Sequence, residues 1–154
     1  MCIRDSQRLI GRSLRCAVNL DILGEKTIKI DCDVISADGG TRTASIIGGY
    51  VSLVRSINEF KDKYNLSKAI IVNQVAAISV GVVKGTPCID LNNIEDSGAE
   101  VDCNVVMAND GQFIEFQSTG EEAKFSKQTI MDFIELVESS MPEIFNTQNL
   151  AIEK

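Results

Sequence analysis

Two short stretches of this sequence gather the residue types that can do chemistry. The first is Asp38-Gly39-Gly40-Thr41-Arg42-Thr43-Ala44-Ser45. Two glycines let a backbone approach a ligand closely, and a helix starting after them offers unpaired N–H groups and the positive end of its dipole to an anion. Gly40, Thr41, Arg42 and Thr43 are the candidate phosphate-binding residues. The threonines supply hydroxyls, and the guanidinium can fork two N–H bonds onto a phosphate. No Gly-Lys-Ser/Thr follows, so this is not a Walker loop. The same letters also fit a plain glycine turn capped by Thr41.

The second stretch is Glu95-Asp96-Ser97-Gly98-Ala99-Glu100-Val101-Asp102, four carboxylates leading into an apolar strand. There Val101, Cys103, Val105 and Met107 alternate with Asp102 and Asn104, which puts Asp102 on the face opposite the apolar set. Asp96, in the loop before it, could fold back beside it. Paired carboxylates can hold Mg²⁺ through oxygen, or one can serve as an acid. An acidic surface turn is the alternative.

What the chain lacks narrows the chemistry further. It has no histidine, and its five cysteines form no Cys-x-x-Cys pair. Zinc sites of the usual types and His-dependent nucleophilic catalysis are thereby excluded, leaving carboxylates, Arg, Lys, hydroxyls and an oxygen-ligated metal. The net charge of −7 argues against a polyanionic partner. Its distribution qualifies this: Arg4, Arg8, Arg12, Arg15, Lys26 and Lys29 make the N-terminal end the basic region. No apolar run is long enough for a membrane helix, and charges at Arg4, Asp5 and Arg8 interrupt any signal peptide, so a cytoplasmic location is expected.

The elements that would position these residues are those of one domain, with no repeat or linker. Ser6 to Leu20 reads as a helix with Ile10, Leu14 and Ala17 on one face and Arg8, Arg12 and Arg15 on the other. That basic face is either solvated or turned to a phosphate or a second subunit. Thr27 to Ile35 alternates as a half-buried strand. A helix runs from Thr41 to near Asn65. Val75 to Val83 turns at Lys84-Gly85 and returns through Cys88, Ile89 and Leu91, and Asn109-Asp110-Gly111 joins Val101–Ala108 to Phe113–Ser118. Ser126 caps a last helix that Pro142 ends or bends. The expected class is α+β, a mixed β-sheet with packed helices.

Taken in order, Gln7-Arg8-Leu9-Ile10-Gly11-Arg12, then Ala37-Asp38-Gly39-Gly40-Thr41-Arg42-Thr43-Ala44-Ser45, then Glu95-Asp96-Ser97 through Glu100-Val101-Asp102-Cys103-Asn104-Val105-Val106, resemble bacterial ribonuclease PH. The resemblance runs from residue 7 into the C-terminal helix. It implies a phosphate-dependent 3′→5′ exoribonuclease, a tRNA nucleotidyltransferase that trims tRNA precursors and other structured RNA 3′ ends and releases nucleoside diphosphates. It further implies a homo-oligomer, a hexameric ring, with no membrane association. Inorganic phosphate would be the co-substrate, bound by Gly40, Thr41, Arg42 and Thr43. Asp96 and Asp102 would be the catalytic carboxylates and would hold Mg²⁺ or Mn²⁺.

The departures from that family carry expectations too. Its members have a further set of strands, with a second phosphate-binding arginine, before the point matched by Gln7. On that comparison residues 1–6 read as a non-native scar and residues 7–154 as the C-terminal part of a single, N-terminally truncated and incomplete ribonuclease PH domain, inactive by itself. Two alternatives remain open: a noncatalytic exosome-like ring subunit, and an inactive fragment.

Overall fold

The computed structural model describes residues 3–66, 68–120 and 124–154. The central feature is a four-stranded sheet of β1 (Val75–Val83), β2 (Thr86–Ile89), β3 (Val101–Ala108) and β4 (Phe113–Gly120), in the order β2-β1-β3-β4. Among the described residues five α-helices accompany it: α1 (Ile3–Cys16), α2 (Leu20–Leu23), α3 (Thr41–Phe60), α4 (Asn93–Ser97) and α5 (Lys127–Glu153), with a 3-10 turn at Lys68–Ile70.

The sheet separates two apolar clusters. On one face Val75, Ala77 and Val106 pack with Leu9, Leu14 and Ala17 of the α1 segment and with Ile46, Tyr50, Leu53 and Ile57 of α3. On the other, Ile78, Val80, Val101, Cys103, Val105 and Met107 pack under Phe133, Val137 and Met141 of α5. The period-2 alternation of β3 thus sends its apolar set to α5 and leaves Asp102 on the α3 side. Among the described residues no helix is long and apolar enough to cross a membrane.

The α+β class is as expected, and β1 has the predicted bounds. The sheet, however, is antiparallel in all its pairings rather than mixed. Short hairpin turns join β1 to β2 and β3 to β4, and such turns can only reverse the chain. Thr27 to Ile35, expected as a half-buried strand, has no regular secondary structure and joins no strand among the described residues. Its alternation survives in part: Ile28 and Ile30 lean on the α1–α3 core. Without a neighbouring backbone the ladder that defines a strand does not form, and Val34 and Ile35 are 55% and 98% exposed.

Helix bounds differ as well. The first helix begins at Ile3, so residues 3–6 of the stretch read as a scar form its first turn, while residues 1 and 2 lie outside the described residues. It ends at Cys16 instead of running to Leu20, because Asn19 caps a separate short helix, its side chain accepting from the Asp21 and Ile22 amides. Pro142 neither ends α5 nor prevents its continuing to Glu153. A proline removes a single N–H, and the helix is held on both sides of it by Phe133, Val137 and Met141 packing and by Gln148.

Gln148 is the polar anchor of the α5 end, 1% exposed. Its amide donates to the Val75 carbonyl at 3.0 Å and the Ile47 carbonyl at 3.3 Å, and accepts from Gln74 Nε2 at 3.0 Å. It therefore ties α5 to both β1 and α3. Gln148→Leu keeps the volume but removes all three of these hydrogen bonds from a buried site. Urea unfolding is expected to show a loss of about 1–3 kcal/mol at an unchanged m-value. A midpoint equal to the parent's would mean that this network is not holding the helix.

Candidate functional site: a glycine loop against a carboxylate strand

Helix α3 starts where the first sequence motif places it. Its N-cap is Gly40, at φ +66 and ψ +24, a left-handed conformation that glycine adopts without strain. Thr41 is not the cap; no side chain caps this end. The Thr43 hydroxyl instead donates to the Gly40 carbonyl at 2.8 Å, and the Ser45 hydroxyl to the Thr41 carbonyl at 2.8 Å. Thr43 is buried, so it braces the turn from within. The first amides of a helix have no intrahelical acceptor, so the dipole's positive end at Thr41, Arg42 and Thr43 is available to an anion.

The Arg42 side chain reaches across to β3. Its Nη2 lies 3.7 Å from Asp102 Oδ2, with 22% and 20% of the two side chains exposed. Asp102 stands opposite Gly81 of β1 and Thr119 of β4, on the face turned away from α5. Next to it Cys103 points into the α5 core, where burial, reinforced by the Asp102 charge, pushes the thiol up to about 12. Cys103 is thus a neutral packing residue, and Cys16, Cys32 and Cys88 are free thiols. An open cavity of about 850 Å³ reaches this end of α3 at Thr41, Arg42 and Ser45 and continues past Cys32 and Ile30 to Leu14.

The acidic stretch is built differently from a loop. Asn92 caps α4 by accepting from the Ile94 and Glu95 amides, and the Glu95 carboxylate reaches back to the Asn92 amide at 3.0 Å. This is a full capping box. The pattern Asn92-x-x-Glu95 was present in the sequence as a helix signal, and Glu95 is spent on it. Asp96 lies on this helix, exposed, and enters neither of the ion pairs Arg12–Glu115 and Arg42–Asp102. The structure therefore brings Arg42 and Asp102 together side chain to side chain, and carries Asp96 on α4, outside that ion pair.

The loop before α3 is tied to the start of α4 by residues far apart in the chain. The Asn93 amide at the start of α4 donates to Asp38 Oδ1 at 2.7 Å. Gly39 lies so close that a Cβ there would fall 1.9 Å from the Leu91 carbonyl oxygen. The glycine that lets the first motif approach a ligand is thus used to let two loops of the chain approach each other.

As cation ligands, Asp96 and Asp102 offer hard carboxylate oxygens. No group of three or more His, Cys, Asp or Glu could hold a metal ion among the described residues. Mg²⁺ is commonly held by only one or two carboxylates, with water and substrate phosphate completing the shell.

The α+β fold thus sets the arginine-bearing start of α3 beside a carboxylate of β3. Residues 3–57 match the 3′ exoribonuclease family, domain 1, and residues 73–139 match the 3′ exoribonuclease family, domain 2. The chain belongs to the 3′ exoribonuclease family. Within it, the chain is 48% identical over 147 residues to ribonuclease PH of Corynebacterium kroppenstedtii, covering 96% of this chain and 58% of that protein. It is 47% identical over 149 residues to ribonuclease PH of Parasynechococcus marenigrum, covering 97% and 60%. The chain therefore spans under two thirds of the length of the curated relatives it matches.

Among solved structures, rice Rrp46 superposes with a TM-score of 0.75 at 16% identity, covering 100% of this chain and 68% of that one. An archaeal exosome core gives 0.68 at 12% identity, covering 94% and 62%. At such identities these two likenesses concern the fold alone. The first family match supplies Arg42 and the second supplies Asp102, so the candidate site draws on both matched segments.

Proposed function

We propose that this chain carries the phosphate- and acid-bearing part of a phosphate-dependent 3′→5′ exoribonuclease acting on the 3′ ends of tRNA precursors. The observation that carries the reading is the Arg42–Asp102 contact at the open start of α3. A noncatalytic ring subunit has no need of that carboxylate.

In this reading the α3 amides at Thr41, Arg42 and Thr43 and the Arg42 fork hold orthophosphate as the nucleophile. One of its oxygens attacks the phosphorus of the last phosphodiester. A phosphorus–oxygen bond forms to orthophosphate, the bond to the 3′ oxygen of the penultimate nucleotide breaks, and that oxygen takes up a proton. The products are a nucleoside diphosphate and an RNA one nucleotide shorter. Arg42 fixes the nucleophile in line and offsets the charge of two phosphates brought together. Asp102, with Asp96, supplies the acid or the carboxylates for a cation. Mg²⁺ or Mn²⁺ bound there would offset charge on the leaving oxygen. The working form in this reading is a hexameric ring in the cytoplasm.

The test is phosphorolysis of a tRNA bearing a 3′ extension, using the chain alone and the chain joined to the part of the Corynebacterium relative that lies outside the match. Release of nucleoside diphosphates, rising with orthophosphate and absent without it, is the expected result for the joined protein. Release of nucleoside monophosphates, or no release by either protein, would overturn the reading.

A further inference from the structure

The segment between β2 and α4, Asp90 to Asn93, is held from two sides. From β1, Ser79 binds it twice: its carbonyl accepts from the Asp90 amide at 2.7 Å, and its buried hydroxyl accepts from the Leu91 amide at 3.1 Å. From the α3 side, Asp38 Oδ1 accepts from the Asn93 amide at 2.7 Å, and Gly39 lies against the Leu91 carbonyl. Asp90 itself takes φ +55, a conformation that an L residue holds only where its surroundings enforce it. Leu91 is buried. The loops leading into α3 and α4, the helices that carry Arg42 and Asp96, are thus fastened to each other, and the β1 side of the fastening runs through the same sheet that carries Asp102.

We infer that Asp38 is a positioning residue: its carboxylate fixes α4, and with it Asp96, in register with the phosphate-holding start of α3. The inference rests on the phosphorolytic reading for its catalytic consequence, while its structural content stands alone. Asp38 is itself turned to the Asn93 amide and is not a phosphate ligand. A carboxylate near bound orthophosphate would repel it, whereas a carboxylate accepting a backbone N–H is a favourable, charge-assisted contact. α4 has only five residues and few buried contacts of its own. A helix that short keeps its place through such outside contacts.

Hydrogen exchange on the 154-residue chain tests the structural part. In Asp38→Ala the amides of residues 92–97 are expected to exchange about tenfold faster, while those of β1 and β3 stay within about twofold of the parent. Asp38→Asn, whose amide oxygen still accepts, should return residues 92–97 to within about threefold of the parent. Unchanged exchange in Asp38→Ala, or acceleration spread equally over the sheet, would overturn the inference. The phosphorolysis assay tests the consequence. Asp38→Ala should lower kcat about tenfold with the KM for orthophosphate nearly constant, and Asp38→Asn should recover most of it. A raised KM at constant kcat would instead make Asp38 part of the phosphate site and sink the inference. These kinetic variants are made in the joined protein, and if that protein shows no phosphorolysis, the functional reading fails and the exchange result alone decides the role of Asp38.

Discussion

Asp102→Asn is expected to lower the rate of nucleoside diphosphate release by about 10²- to 10⁴-fold, the range for loss of a positioned acid–base group. The fold should survive. The amide has the shape of the carboxylate, and the apolar face of β3, with Val101, Cys103, Val105 and Met107, is untouched. The lost Arg42 contact is partly exposed and 3.7 Å long, so its removal should cost no more than about 1 kcal/mol in urea unfolding. Phosphate binding should move the other way from turnover. Asp102 competes with orthophosphate for the Arg42 guanidinium, and without its charge the arginine has one anion fewer beside it. Titration of the variant with orthophosphate is therefore expected to give an affinity equal to or tighter than the parent's. This split separates a chemical role from a binding role. Nucleoside diphosphate release at the parent rate would remove Asp102 from the chemistry, and weaker phosphate binding would make it part of the phosphate site.

The parts of this arrangement that sequence reading reaches are those governed by local rules. The turns at Lys84-Gly85 and Asp110-Gly111 set both hairpins, since Lys84, Gly85 and Gly111 all take positive φ as tight reversals require. The alternation of Val101 to Met107 sorts Asp102 away from the α5 core. Gly40 before Thr41 marks the start of α3, although Gly40 rather than Thr41 is the cap. The failures have non-local causes. Thr27 to Ile35 has the alternation of a strand, but pairing depends on a neighbour that its own letters do not specify. Pro142 carries a stop signal that packing on both sides overrides. The pairing of Asp38 with Asn93 joins residues far apart in the chain, and no local pattern announces it. The α4 helix is a different case, because its Asn92 and Glu95 capping box is local. The same Glu95 also reads as one more acid of a cluster, and that reading competes with the cap.

Arg42 offers the second large effect. Its guanidinium is held at the α3 start with only 22% of the side chain exposed, and it already faces an anionic oxygen in Asp102. Arg42→Lys preserves the charge but loses the planar fork. A charge-assisted hydrogen bond of this kind is worth about 1.5–3 kcal/mol, so the affinity for orthophosphate should fall about tenfold or more. Arg42→Ala should fall further still. Binding of the tRNA substrate should change little in either variant, because one phosphate contact among many sets that affinity. The combination with Asp102→Asn adds a sharper criterion, since two side chains in contact should not act independently. In the Asp102→Asn background any gain in phosphate affinity must vanish once Arg42 is replaced, because the gain works through the guanidinium. Orthophosphate titrations of the four proteins, parent, two single variants and double, measure this directly. Additive effects, or an Arg42→Lys protein whose phosphate dependence matches the parent's, would mean that the anion is held elsewhere and that the open start of α3 is only a turn.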